Sequence, residues 1–288
     1  MLRRLIHAPA LWALAWPLLL LAGSYTAYCG WYAAHLATLH GEILADQISI
    51  DEPPAYIRGD LVGQVHQTAR LDLLSPLDRS ATAKLASAFE NHPWVREVIT
   101  ARKLPGGRFQ VNLDYRDLVA AFHLTGGDSW KRKMAEYLHS QGYPRSLVEG
   151  YLPLDGEGYL LPTSDLKPED VAELIHIEVW ELYPTGDEGM LFGDRRVESA
   201  ALLARLLSAV RDQVRVSRIT VSGNPRVNRI PQLNLELADG TEITWGSPPG
   251  MELPAERDAR AKLVDLLSGN YVAGADLSIA RQTTRPLR

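Results

Sequence analysis

The sequence is poor in cysteine. There is one among 288 residues, Cys29, and it falls inside an apolar N-terminal run. That excludes disulfides, thiol nucleophiles and zinc–thiolate sites from everything downstream. Charge is missing from Ala8 through Ala34, and acids are missing from the first 41 residues, where Arg3 and Arg4 are the only lysine or arginine. The remainder carries 28 basic and 35 acidic residues, a net of −7. A mildly acidic body has no electrostatic footprint for nucleic acid, which sets that partner aside. The motifs of common chemistries are missing too. None of the eight histidines stands in H-E-x-x-H spacing. Gly126-Gly127-Asp128-Ser129 lacks the G-x-S-x-G frame of an esterase nucleophile. Gly106-Gly107 does not continue to the Gly-Lys-Ser/Thr of a phosphate loop. The expectation is a chain with no catalytic residue, no metal site, no cofactor and no small-molecule substrate. His176 and Glu178 share one face of an apolar strand, but a lone His-x-Glu pair is read as structural.

What is present is ordinary globular material: 46% hydrophobic and 23% charged residues, enough chain for one or two domains. The uncharged run Ala8–Ala34 would span ~40 Å as a helix, more than the ~30 Å hydrocarbon core. Trp12, Trp16, Tyr25, Tyr28, Trp31 and Tyr32 cluster toward its ends, as interfacial aromatics do. A transmembrane helix is expected over 10–33, kinked at Pro17, with a cytoplasmic tail at 1–9 and a juxtamembrane helix or linker at 34–46. Arg3 and Arg4 precede the run, and Glu42, Asp46, Asp51 and Glu52 are the first charges after it. Positive-inside logic therefore puts the N-terminus in the cytoplasm and the bulk outside. The lipid bilayer is the first partner implied. A cleaved signal peptide is the competing reading, without a small-x-small site to support it.

Beyond the run, Ile48 and Ile50 alternate as a short strand. Asp60 opens a helix through about Thr68, and Asp78 a second one, with Ala81, Leu85, Ala88 and Phe89 on one face. His92-Pro93 ends it. Val95–Arg102 reads as a strand, Pro105-Gly106-Gly107 as a turn, and Phe109, Val111, Leu113 and Tyr115 alternate as a half-buried strand. The order is strand, helix, helix, strand, strand. Downstream come a basic amphipathic piece around Trp130–Leu138, a hairpin over Leu152–Leu161, a strand over Ile175–Trp180 and a helix over Arg195–Val210 with a wide apolar face. Then follow a strand over Arg218–Val221, a hairpin turning at Asp239-Gly240, a helix over Glu256–Leu267 and a last strand through Ala275, Leu277 and Ile279. Residues Gln282–Arg288 read as a polar tail.

In this frame Asn91-His92-Pro93-Trp94-Val95-Arg96 follows the second helix, Arg102-Lys103-Leu104-Pro105 forms a basic turn, and a strand closes near Leu118-Val119-Ala120-Ala121-Phe122. The set resembles the POTRA domain of the FtsQ/DivIB family of bacterial cell-division proteins, whose "PWV" matches Pro93, Trp94 and Val95. Leu152–Gly158 resembles the family's "LVD-x-x-G" hairpin. Leu237–Gly246, followed by Ala261-Lys262-Leu263, resembles its D-G hairpin and "KL" helix, and Asp276-Leu277 its closing "VDLR" strand. Three positions depart from the pattern: Asp51-Glu52-Pro53-Pro54 replaces a V-x-G, Leu118 stands in a proline region, and Ser278-Ile279 replaces arginine and an aromatic.

The resemblance implies an α+β fold: the transmembrane helix, a small βααββ POTRA-like domain at 47–122, and a mixed α+β domain at 123–281 with a largely antiparallel sheet. It implies a non-enzymatic bitopic scaffold of the division machinery in the inner membrane. Its partners would be small FtsB/FtsL-like coiled-coil proteins and septal cell-wall synthesis proteins. The expected binding edge is the last strand, Ala275, Leu277, Ser278, Ile279, Ala280 and Arg281, with Pro93, Trp94 and Val95 structural. A POTRA-containing envelope assembly or export component, and an anchored envelope hydrolase, are the alternatives.

Overall fold

The computed structural model describes residues 9–39, 41–140, 150–223, 229–269 and 271–279. The cytoplasmic tail expected at 1–9 falls almost wholly outside these residues, and the tail at 282–288 falls wholly outside. Helix α1 (Pro9–Leu39) has 31 residues, with side chains described for 16–32. Among the described residues, no helix is long and apolar enough to cross a membrane. This overturns the transmembrane helix expected over 10–33. Helix α1 carries hydroxyls at Ser24 and Thr26, which donate back to the carbonyls of Leu21 and Gly23.

The chain divides into two compact units. The first comprises residues 1–50, 61–88 and 100–112. It contains β1 (Ile48–Ile50), α2 (Leu61–Thr68) and most of α3 (Ala81–Glu90), with parts of β2 (Val95–Lys103) and β3 (Phe109–Tyr115). The three strands pair in the order β1-β3-β2, with β1 parallel to β3 and Ile48, Ser49 and Ile50 beside Phe109, Gln110 and Val111. The observed order is strand, helix, helix, strand, strand. Each helix buries its apolar stripe: Leu61 and Val65 in α2, Ala81 and Leu85 in α3. The Lys103 ammonium donates to the Pro76 carbonyl and ties down the loop before α3.

The second unit holds residues 51–60, 89–99 and 113–288. Its elements are β4 (Ala120–Thr125), α4 (Asp128–Ser140), β5 (Tyr151–Leu154), α5 (Pro168–Ala172), β6 (Ile175–Trp180) and α6 (Arg195–Ser208). They continue through β7 (Val216–Ser222), β8 (Gln232–Leu237), β9 (Glu242–Gly246), α7 (Ala259–Leu267) and β10 (Ala275–Asp276). The strands form one sheet ordered β10-β9-β8-β7-β6-β4-β5. The pairs β10/β9, β7/β6 and β6/β4 are parallel, while β9/β8, β8/β7 and β5/β4 are antiparallel. The expected largely antiparallel sheet is thus corrected to an evenly mixed one. The cause is connectivity, because parallel neighbours need a crossover element; α6 supplies it between β6 and β7, and α7 between β9 and β10. The stretch expected to close the first domain near Phe122 is instead β4, the strand next to the β5 edge of this sheet.

Two rows run across all seven strands. Leu152, Phe122, Ile177, Ile219, Leu235, Ile243 and Ala275 are successive partners and form the apolar row. Beside it Tyr151, His123, Glu178, Thr220, Asn234, Thr244 and Asp276 form a polar row on the opposite face. The apolar row joins one core with Val197, Ala200, Leu203, Ala204 and Leu207 of α6, Met134 and Leu138 of α4, and Leu266 of α7. Asp194 caps α6 by accepting from the Arg196 amide.

Candidate functional site

Strand β10 ends the sheet. It continues both rows, with Ala275 beside Ile243 and Asp276 beside Thr244. Among the described residues no strand pairs with its outer side. Inward, the amides of Gly274 and Leu277 donate to the carbonyls of Glu242 and Thr244, at 2.8 and 2.9 Å. The strand is shorter than the sequence suggests, for a local reason. The Asp276 carboxylate accepts from both the Ser278 amide (2.9 Å) and its hydroxyl (2.6 Å), and this turns the chain after two paired residues. The Ser278 carbonyl accepts from the Arg257 amide at 3.1 Å. Leu277 is buried, whereas Ile279 is 62% exposed. Ala280 and Arg281 lie outside the described residues. A short edge bearing a charge resists indiscriminate pairing with other chains.

A buried ion pair holds this edge in place. Lys262 points from α7 into the core and is fully buried. Its ammonium donates to Glu256 Oε1 at 2.5 Å and to the Ser247 carbonyl at 3.4 Å. It also lies 5.3 Å from the centre of the Trp245 ring, a cation–π contact. Glu256 accepts further from the amides of Ser247 (2.7 Å) and Leu253 (3.2 Å). Burial raises the Glu256 carboxyl, but the bonds from Lys262 and Ser247 outweigh it and hold the group below the usual carboxylate range. The Arg257 guanidinium pairs with Asp265 of α7. Gly246, at φ +90°, is where strand, clamp and edge meet. A Cβ there would stand 2.3 Å from Glu256 Oε1 and 2.7 Å from Ser278 Cβ. Gly246→Ala is therefore expected to destabilise the fold by about 1–3 kcal/mol from backbone strain alone. A urea titration checks this, and an unchanged midpoint contradicts the close approach.

Pro93, Trp94 and Val95 belong to the second unit. Trp94 is fully buried. Its indole N–H donates to Asp165 at 2.8 Å, and its ring lies 5.4 Å from that of Tyr56. Tyr56 donates its hydroxyl to the Arg116 carbonyl at 2.9 Å, and its pKa is pushed up to about 12 by burial and by Asp117. Arg116 in turn forms a buried 2.6 Å pair with Asp155 and covers the Tyr159 ring. Close by in sequence, Asp170 accepts two bonds from Arg58, which hold its carboxyl down at about 2. Asp165 and Asp170 therefore grip Trp94 and Arg58.

His176 and Glu178 do not converge. His176 bonds the Val171 carbonyl, while Glu178 pairs with His123 at 2.7 Å and Arg218 at 3.4 Å. Among the described residues no group of histidines, cysteines and acids is arranged to hold a metal ion. Sequence reasoning missed Lys262 and Glu256 as a buried pair. The signal was there, since Lys262 stands four residues before Leu266, on the stripe that faces the core. No protein-family profile matches the chain, and no curated protein is similar to it.

Proposed function

We propose that this chain is a non-enzymatic scaffold of the FtsQ/DivIB kind, acting in bacterial cell division by adding a partner's strand to β10. The observation that carries the reading is that, among the described residues, nothing pairs with the outer side of a strand that continues both rows of a seven-stranded sheet. Main-chain hydrogen bonds from such an edge give affinity, and alternate side chains give selectivity. The ordered motifs from Pro93-Trp94-Val95 to Asp276-Leu277 support the assignment to division. They point to small FtsB/FtsL-like coiled-coil proteins as strand donors and to septal cell-wall synthesis proteins as associated partners. The same reading puts the folded body on the extracytoplasmic side of the cytoplasmic membrane.

Ile279→Pro tests the edge. The side chain is exposed, so melting of the variant is expected to match the parent. Ile279 lies just past β10 and its turn, where an added strand would have to run on; proline removes an amide there and its ring obstructs that extension, so co-purification of the coiled-coil partner is expected to be lost. A folded variant that still binds its partner normally sinks the edge mechanism.

A further inference from the structure

A cavity of about 500 Å³ opens at the start of α6, far in sequence from the edge strand, and is lined by Gly193, Asp194, Arg195, Arg196, Gly223, Arg229 and Pro231. Its size is that of a small-ligand site. Among the described residues, three guanidiniums against one carboxylate give the lining a formal charge of +2, in a chain whose net charge is −5. The one carboxylate is already committed. Asp194 caps α6 through the Arg196 amide and binds the Arg196 guanidinium through both oxygens, at 3.0 and 2.8 Å. Their mutual pairing holds the Arg196 guanidinium above its ordinary pKa and the Asp194 carboxyl below its own, the latter against the effect of burial. That leaves Arg195 and Arg229, both exposed at the cavity and in no ion pair among the described residues.

We infer that this cavity binds a phosphate monoester, with Arg195 and Arg229 gripping the oxyanion and Arg196 held in place by Asp194. Planar guanidiniums match phosphate geometry and can each bond two oxygens. The +2 lining balances a monoester dianion. Among the described residues no aromatic side chain lines the cavity, so a nucleobase finds no stacking surface there and the esterified body is a small polyol or sugar.

The test titrates the full-length chain in detergent with glycerol 3-phosphate, with inorganic phosphate, and with vesicles containing phosphatidic acid. Glycerol 3-phosphate is expected to bind saturably at one site. Binding should weaken as pH falls through ~6, where the dianion takes up a proton. Arg195→Gln and Arg229→Gln are each expected to weaken it roughly tenfold, the worth of one charged hydrogen bond. Both side chains are exposed, so melting of either variant should match the parent; if one melts early, the other serves. Binding to the vesicles alone, lost in the same variants, assigns the phosphate to a lipid headgroup and supports the oxyanion site. Equal affinity for inorganic phosphate overturns the ester part of the proposal. Weak, unsaturable binding that the variants do not change overturns the site.

Discussion

Replacing Lys262 by alanine is expected to lower the stability of the second unit by about 3–5 kcal/mol, the usual penalty for stripping one partner from a buried ion pair. Lys262 is fully buried and the Glu256 side chain is 6% exposed, so the ammonium is cut off from water and its carboxylate is largely so. The truncation leaves Glu256 charged in the interior and empties the space over the Trp245 ring. Trp245 has its own deficit, since its indole N–H finds no acceptor among the described residues. The double variant Lys262→Met, Glu256→Gln is expected to recover most of the loss, because a well-packed neutral pair of similar volume is often no worse than the ionic one. The effect has a pH signature. Glu256 is held below its ordinary value in the folded state. Its contribution is therefore complete above the unfolded carboxylate pKa of ~4.3 and disappears as pH falls toward the lower folded value. Urea titrations at pH 7 and pH 4 should show the parent losing more stability on acidification than Glu256→Gln does. Equal losses, or a Lys262→Ala variant as stable as the parent, would remove the clamp from the account.

The second large effect is expected at Trp94. Truncating a fully buried tryptophan to alanine costs about 3–5 kcal/mol, through lost transfer energy and the cavity left behind. Here Asp165 also loses the indole N–H, and the Tyr56 ring loses its neighbour. Trp94→Phe separates the two contributions. It keeps much of the apolar volume and is expected to cost less than half as much, the remainder reporting the bond to Asp165. Thermal melts of the three chains check this. If phenylalanine proves as damaging as alanine, the hydrogen bond outweighs packing, and Trp94 is held by its polar edge.

Local chemistry explains which parts of the fold the sequence makes legible. The β8–β9 hairpin is plain because Leu233, Leu235 and Leu237 alternate and Asp239-Gly240 turns the chain. Gly240 sits at φ +83°, the left-handed region that glycine occupies at little cost. The helices α2, α3 and α6 are legible from their spacing. Strand partnership is not legible. Ala120–Thr125 and Ile175–Trp180 are short apolar runs whose periodicity says strand but cannot say beside which strand, or in which direction. The mixed sheet depends on where α6 and α7 cross, and a crossover becomes a topology only through tertiary packing. The last strand was over-extended because Leu277 and Ile279 alternate. The Asp276 side chain overrides that alternation by taking both donors of Ser278. The N-terminal run reads as a membrane span from its uncharged length, its terminal aromatics and its flanking charges, which together do not make, among the described residues, a helix long and apolar enough to cross.

The central claim is that β10 receives a partner's strand. Its most direct test is an affinity pull-down of the full-length chain from gently solubilised native membranes, read by mass spectrometry against the Ile279→Pro variant. The account expects small single-span coiled-coil proteins and septal cell-wall synthases with the parent chain, and their loss with the proline variant. Outer-membrane or secretion components in their place, or the same partners retained by the variant, would contradict it.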